Sequence, residues 1–226
     1  EQGGDILVFL PGIGSIKATE KILAQELDGE TRIHCLYGNL PQREQNLNAI
    51  VQQQELHHRF FYDQARQGAD RIGKLFEKAV RDGQLAESAL FDKQRTPIPK
   101  TDPQKYSSSV DRFTDQQLPT VQEAVKGAHP SMVFAIAAAP DGYVPTHNRD
   151  FAHAPTGDPK VDLVKSRSKR LFNDRTGARC GSHTQNMLLQ TYRRDTGEVM
   201  HDLSVPIYVN GKHWGGFRLG YKPDNR

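Results

Sequence analysis

The chain has 226 residues, 36% apolar and 25% charged, which allows one large domain or two small ones around a modest core. No apolar run approaches the ~20 residues of a membrane helix, the amino end lacks the basic-then-apolar pattern of a secretory leader, and only two cysteines, Cys35 and Cys180, are present. A disulfide framework and a multi-cysteine zinc site are therefore excluded, and a soluble, cytoplasmic protein is expected.

The net charge of +3 is unevenly placed. Residues 1–50 carry 4 Lys/Arg against 7 Asp/Glu, residues 51–150 carry 13 against 13, and residues 151–226 carry 13 against 7, so the positive charge belongs to the last third. That third lacks the aromatic interleaving of a single-strand binder, and a small anion or an acidic partner suits it better than a nucleic acid.

In chain order, Ile6–Leu10 reads as a strand buried on both faces. The Pro11-Gly12-Ile13-Gly14 turn and a Ser15 cap lead into a helix with Ile16, Ile22, Leu23 and Leu27 inward. Ile33–Tyr37 reads as a second strand and Leu40–Ile50 as a second helix, which gives a βαβα block over residues 1–50. Its glycine turn lacks the spacing of a phosphate loop or a dinucleotide fingerprint.

A second block, residues 51–226, has another grammar. Phe60, Phe61, Ala65, Ile72, Leu75, Phe76, Ala79 and Val80 recur at three- and four-residue steps, so a long amphipathic helix over about 55–82 is predicted. Thr96–Pro103 reads as a connector without regular structure. A helix with Phe113, Leu118, Val121 and Val125 inward follows, with a break or kink expected at Pro119. The period then changes to that of strands: Met132–Ala138, Tyr143–His147, Met187–Arg194, Val199–Tyr208 and Lys212–Tyr221. A short helix is predicted over Val161–Phe172, and Asn210-Gly211 is the strongest hairpin signal in the chain. The fold class read from this order is α+β, with long helices packed on a five-stranded antiparallel sheet.

Two family resemblances enter on particular residues. Gly4-Asp5-Ile6-Leu7-Val8-Phe9-Leu10-Pro11-Gly12, with Leu36-Tyr37-Gly38-Asn39-Leu40-Pro41 and Gln45, resembles the start of the second RecA-like domain of DEAH-box-type RNA helicases over about residues 3–50. The phosphate loop, acidic metal-binding motif and arginine motif of such helicases are missing from the sequence, so ATP hydrolysis is not expected. Asp141–Asn148, Leu171–Gly177, Leu189–Asp195 and Leu203–Ile207 with Gly211–Gly220 resemble the carboxy-terminal cache (PAS-like) sensory domain of bacterial methyl-accepting chemotaxis proteins, over about residues 55–222. Together the two resemblances imply a fusion or chimera. The second implies a small-molecule sensing module that works with chemotaxis signalling partners and lacks an output domain of its own. A nucleic-acid-binding helicase remnant is the alternative.

No nucleophile–base–acid set or His-Glu-x-x-His motif stands out, and the nine histidines lack ligand spacing, so a binding module without metal or cofactor is expected rather than an enzyme. The long helix suits a homodimer, and membrane contact is not expected. The candidate ligand residues lie in the second block. Tyr143 and His147, four apart on a strand, share a face that either stacks on a ligand or meets solvent. Arg167 and Arg170 share a helix face that is either a solvated basic face or one from which Arg170 forks onto a carboxylate. Gln190, Tyr192 and Arg194 alternate along one strand face, and Asp202 on the neighbouring strand can neutralise Arg194 or bind an amine. The expected ligand is polar or anionic. Trp214 is assigned to the core, and Asn173–Gly177 to a helix exit.

Overall fold

A computed structural model describes residues 13–26, 42–193 and 198–223. Two compact units, Glu1–His58 and Arg59–Arg226, divide the chain. Helix α1 spans Ile13–Glu26. Ile16 and Leu23 are half-buried on it, whereas Ile22 is 60% exposed and does not join the expected inward face. At 3.6 residues per turn, six steps carry Ile22 about 120° from Ile16, while seven bring Leu23 back to within about 20°. The strands expected at Ile6–Leu10 and Ile33–Tyr37 lie outside the described residues.

Helix α2 runs unbroken from Gln42 to Arg81, 40 residues. The sequence reading separated a helix ending at Ile50 from another beginning near residue 55. Nothing in Arg43–His57 breaks a helix, since Gln, Glu, Leu, Ala and Arg dominate and neither Gly nor Pro occurs there.

In the second unit, α2 is followed by α3 (Glu87–Leu90), the hairpin β1–β2 (Thr96–Ile98 and Lys105–Ser107) and α4 (Asp111–Lys126). The connector expected at Thr96–Pro103 is thus partly a hairpin: Thr96 pairs with Ser107 and Ile98 with Lys105. Proline can sit in this two-stranded edge because its missing N–H is not needed there. Helix α4 continues through Pro119 with Leu118, Val121 and Val125 buried and Phe113 half-buried.

The main sheet has four strands in the order β3-β8-β7-β6, formed by Met132–Ala138, Lys212–Tyr221, Val199–Val209 and Leu188–Arg193. All neighbours are antiparallel, and Asn210-Gly211 closes the β7–β8 hairpin with both residues at positive φ (49° and 75°), as the pair predicts. The architecture is therefore α+β, with six α-helices and antiparallel sheets among the described residues.

The fifth strand expected at Tyr143–His147 is absent from this sheet. Only Tyr143–Val144 (β4) is extended, and it pairs with Arg170–Leu171 (β5) in a separate ribbon. The outer edge of β3 is occupied by side chains instead. Ala135 N donates to Asn148 Oδ1 at 2.8 Å and Ala137 N to Gln122 Oε1 at 3.0 Å, while Gln122 Nε2 donates to Thr146 O at 3.1 Å. Both residues are fully buried, so the edge amides find partners without another strand.

One sheet face packs against α2 and α4 through Phe61, Ile72, Phe76, Leu118, Leu203 and Phe217, among others. Phe61 stacks on Tyr221 with ring centres 3.7 Å apart. Trp214 is in this core, as expected, with Nε1 donating to Leu90 O at 3.0 Å. A Cβ on Gly68 of α2 would collide with the Phe217 ring, so glycine lets the helix lie close to the sheet.

The other face is crossed by the connection from β3 to β6, which contains α5 (Pro159–Lys165) and α6 (Arg175–Ser182). A Cβ on Gly216 would run into the Cys180 carbonyl, which shows how closely α6 approaches β8. The helix expected over Val161–Phe172 stops at Lys165, and the chain re-enters extended structure at Arg170. Asn173–Gly177 opens a helix rather than closing one. Asp174 is the N-cap of α6, its carboxylate accepting Thr176 N at 3.0 Å and Gly177 N at 3.1 Å.

Candidate functional site: a basic cleft beside the sheet

Where the β1–β2 hairpin, α4, the 146–155 loop and the Ser168–Lys169 turn meet, they enclose an open cleft of about 660 Å³. Its wall carries Lys105, Asp115, His147, Arg149 and Lys169. That volume suits a small molecule.

Each wall group is held by an identifiable contact. Lys169, at a positive φ of 63°, closes the turn before β5, and its Nζ bridges Asp115 Oδ2 at 2.7 Å and Pro145 O at 3.1 Å. Lys105 is buried, and its Nζ donates to Ser168 O at 2.8 Å. Burial first, then the neighbouring Arg170 and Lys169, push its pKa down to about 8, with Asp162 opposing more weakly. Arg149 is anchored through its backbone, where its N–H donates to Glu123 Oε1 at 2.9 Å, while its side chain stays exposed.

Among the described residues, His147 is the one expected ligand residue that lines the cleft. Its Nδ1 accepts the Asn148 N–H at 2.8 Å, which places the ring proton on Nε2 in the neutral form. Burial, reinforced by Arg167, Arg218 and Arg170, holds the ring well below the usual histidine range. Its ring lies edge-on to Phe151 at 5.1 Å and Phe134 at 6.0 Å.

Tyr143 does not share a strand face with His147. It is buried in the β4–β5 ribbon, and its hydroxyl donates to Asp111 Oδ1 at 2.8 Å. Ser108 N and Oγ donate to the same carboxylate, both at 2.8 Å. Burial and the Asp111 charge raise the phenol well above its usual range. The Arg95 guanidinium lies 4.6 Å from the Tyr143 ring centre and pairs with Asp141 at 3.0 Å. Tyr143 thus ties β4 to the start of α4 and does not line the cleft.

Arg170 is in β5, not in a helix, yet it does meet Arg167. The two guanidinium groups lie 4.9 and 5.1 Å from the Phe172 ring centre, and both donate to Leu163 O. Burial lowers the pKa of Arg170.

Gln190 and Asp202 are register partners beneath α6. Gln190 Nε2 donates to Thr176 O at 3.2 Å and to Cys180 Sγ at 3.3 Å, which ties β6 to the helix. Asp202 is fully buried and paired with Arg218, whose Nε and Nη2 both lie 2.7 Å from Oδ2. Arg194 itself lies outside the described residues. Tyr192 is half-buried opposite Met200. Gln190 and Asp202 form a polar layer between sheet and helix, and neither they nor Tyr192 line the cleft.

The sequence reading missed Lys105, Arg149 and Lys169. One usable signal was the proline-rich stretch before Lys105, because a loop held on a rigid scaffold is a frequent place for function. No group of three or more His, Cys, Asp or Glu among the described residues is arranged to hold a metal. No described helix is long and apolar enough to cross a membrane.

No family model and no curated protein matches the chain. Among solved structures, it is similar to an extracellular ligand binding receptor from Desulfohalobium retbaense DSM5692, at 14% identity and a TM-score of 0.33 over 70% of this chain. The chain spans 24% of the length of that receptor's chain.

Proposed function

We propose that residues 59–226 bind a small polar or anionic molecule in the basic cleft and act as the sensing part of a signalling protein. The observation that carries this reading is the wall itself. Lys105, Lys169 and Arg149 converge on one cleft, and Asp115, the acidic group of that wall, is paired with Lys169. A binding module agrees better with such a wall than an enzyme does, because the cations offer charge and hydrogen bonds but no nucleophile–base pair.

The chemotaxis-type reading is supported by the ordered motifs from Asp141 to Gly220. Helix α4 lines the cleft and also packs on the sheet through Leu118 and Val121, so its small displacements would carry occupancy away from the site. Pairing of two copies along α2 would supply the receptor dimer.

Thermal shift and isothermal titration against short mono- and dicarboxylates, inorganic phosphate and amino acids test the reading. An anionic ligand should raise the melting temperature, weaken with salt, and lose affinity by about tenfold or more in Lys169→Ala, the equivalent of one charge-assisted contact. Binding that survives Lys169→Ala and Arg149→Ala unchanged would move the ligand out of this cleft, and no binding across the panel would overturn the sensing role.

A further inference from the structure

The Lys105 amine sits where an ammonium ion is poorly served. It is buried against the Ser168 carbonyl, and the charges that act on it most strongly, Arg170 and Lys169, have its own sign. The surrounding carboxylates are engaged elsewhere. Asp115 holds Lys169, and Asp111 accepts from Tyr143 and Ser108. Asp162, the acidic group that favours the charged amine, accepts from Thr156 N, Thr156 Oγ1 and Gly157 N. The cleft nevertheless gives the amine a route to solvent.

We propose that Lys105 is a carbon dioxide site, at which its amine is reversibly converted to a carbamate. The unprotonated Nζ attacks the carbon of CO2, an N–C bond forms, and one C–O π pair moves onto oxygen. The nitrogen then gives up a proton to water, leaving Lys–NH–COO⁻, with no oxidant or reductant involved. The product replaces a buried cation beside charges of its own sign by an anion, which the charges of Lys169 and Arg170 would favour. With the pKa at about 8, an appreciable share of the amine is unprotonated at neutral pH, unlike an exposed lysine near 10.4. A buried amine also suits CO2, whose reacting atom needs little room. The carbamate would turn one cation of the cleft wall into an anion, so it bears on the anion binding proposed above, whereas its carbon NMR and mapping readout depends on no ligand.

The test uses the whole chain in ¹³C-labelled bicarbonate at fixed dissolved CO2. Carbon NMR reads the carbamate, and alkylation with a trialkyloxonium salt followed by peptide mapping locates it. The expected result is a carbamate resonance distinct from bicarbonate and CO2, growing as pH rises, whose trapped adduct maps to Lys105. The signal should disappear in Lys105→Arg and persist in Lys93→Arg, an exposed control. Because mapping on the unaltered chain locates the adduct by itself, the proposal stays testable if Lys105→Arg folds poorly. No resonance, or an adduct confined to the amino terminus and exposed lysines, would overturn it.

Discussion

Arg218 on β8 and Asp202 on β7 form an ion pair inside the protein, with Nε and Nη2 both 2.7 Å from Oδ2. Burial opposes the charged arginine, and Asp202 more than offsets that, so the guanidinium stays fully protonated. Cys180 Sγ adds a contact to Oδ1 at 3.1 Å, and Phe134 lies under the guanidinium at 5.3 Å. Asp202→Asn should destabilise the fold by about 3–5 kcal/mol, the typical cost of leaving one member of a buried pair uncompensated. The double replacement Asp202→Leu with Arg218→Met should cost far less than the single one. Urea denaturation of the three variants checks this, and equal losses in the single and double replacements would show that the pair is not the source.

The edge of β3 supplies a second expectation. Asn148→Leu and Gln122→Leu each remove the acceptor for one buried backbone N–H, at Ala135 and Ala137 respectively. An unsatisfied buried donor costs about 1–3 kcal/mol, so each variant should lose that much stability. Native-state hydrogen exchange should show accelerated exchange at the matching amide, Ala135 or Ala137, and not at the other.

Lys105 sets a pH dependence whose sign follows from its depressed pKa. In the folded state it loses its proton near pH 8, in the unfolded state near 10.5. Between those values the unfolded chain holds more protons, so this residue's contribution to stability rises with pH through that window. Lys105→Met should therefore be more stable than the parent below pH 8, by about 1–3 kcal/mol after allowing for solvent screening. The advantage should shrink between pH 8 and 10.5. Melting curves in carbonate-free buffer across pH 6.5–10.5 measure it, and a constant difference would contradict the assignment.

Cys180 should be inert while the protein is folded. Burial, then the adjacent Asp202, pushes its thiol up to about 12, and the residue is fully buried. Thiolate is the reactive form, so labelling at pH 8 should be slower than for an exposed cysteine by at least about 100-fold. Alkylation with iodoacetamide and mapping of the Cys180 peptide, with and without denaturant, provides the comparison. Rapid native labelling at Cys180 would show that α6 opens readily from the sheet.

Local pattern carried a large part of the architecture. The β7–β8 hairpin follows from Asn210-Gly211, because few other residue pairs tolerate two consecutive positive φ angles. The face of α2 that carries Phe61, Ala65, Ile72 and Phe76 follows from helical periodicity, and the burial of Trp214 from its size and polarity. Such features depend on neighbours within a few residues, so they are legible in a linear sequence.

Other features were decided by the tertiary structure alone. The segment Tyr143–His147 has the composition of a strand, but whether it joins the sheet depends on what else reaches the β3 edge. Gln122 and Asn148, 15 and 13 residues from the amides they satisfy, reach it first. The same holds for the candidate site. Alternation on β6 correctly put Gln190 and Tyr192 on one face, but it could not show that α6 covers that face or that Asp202 is paired with Arg218, 16 residues away. Lys105 and Lys169, 64 positions apart in sequence, line one cleft because the β1–β2 hairpin and the turn before β5 are brought together by Tyr106 N donating to Lys169 O. Composition places excess positive charge in residues 151–226, and periodicity places the helices and the hairpin. Only packing gathered Lys169 with Lys105 from an earlier part of the chain, because a cleft is made of contacts between segments whose separation no local pattern encodes.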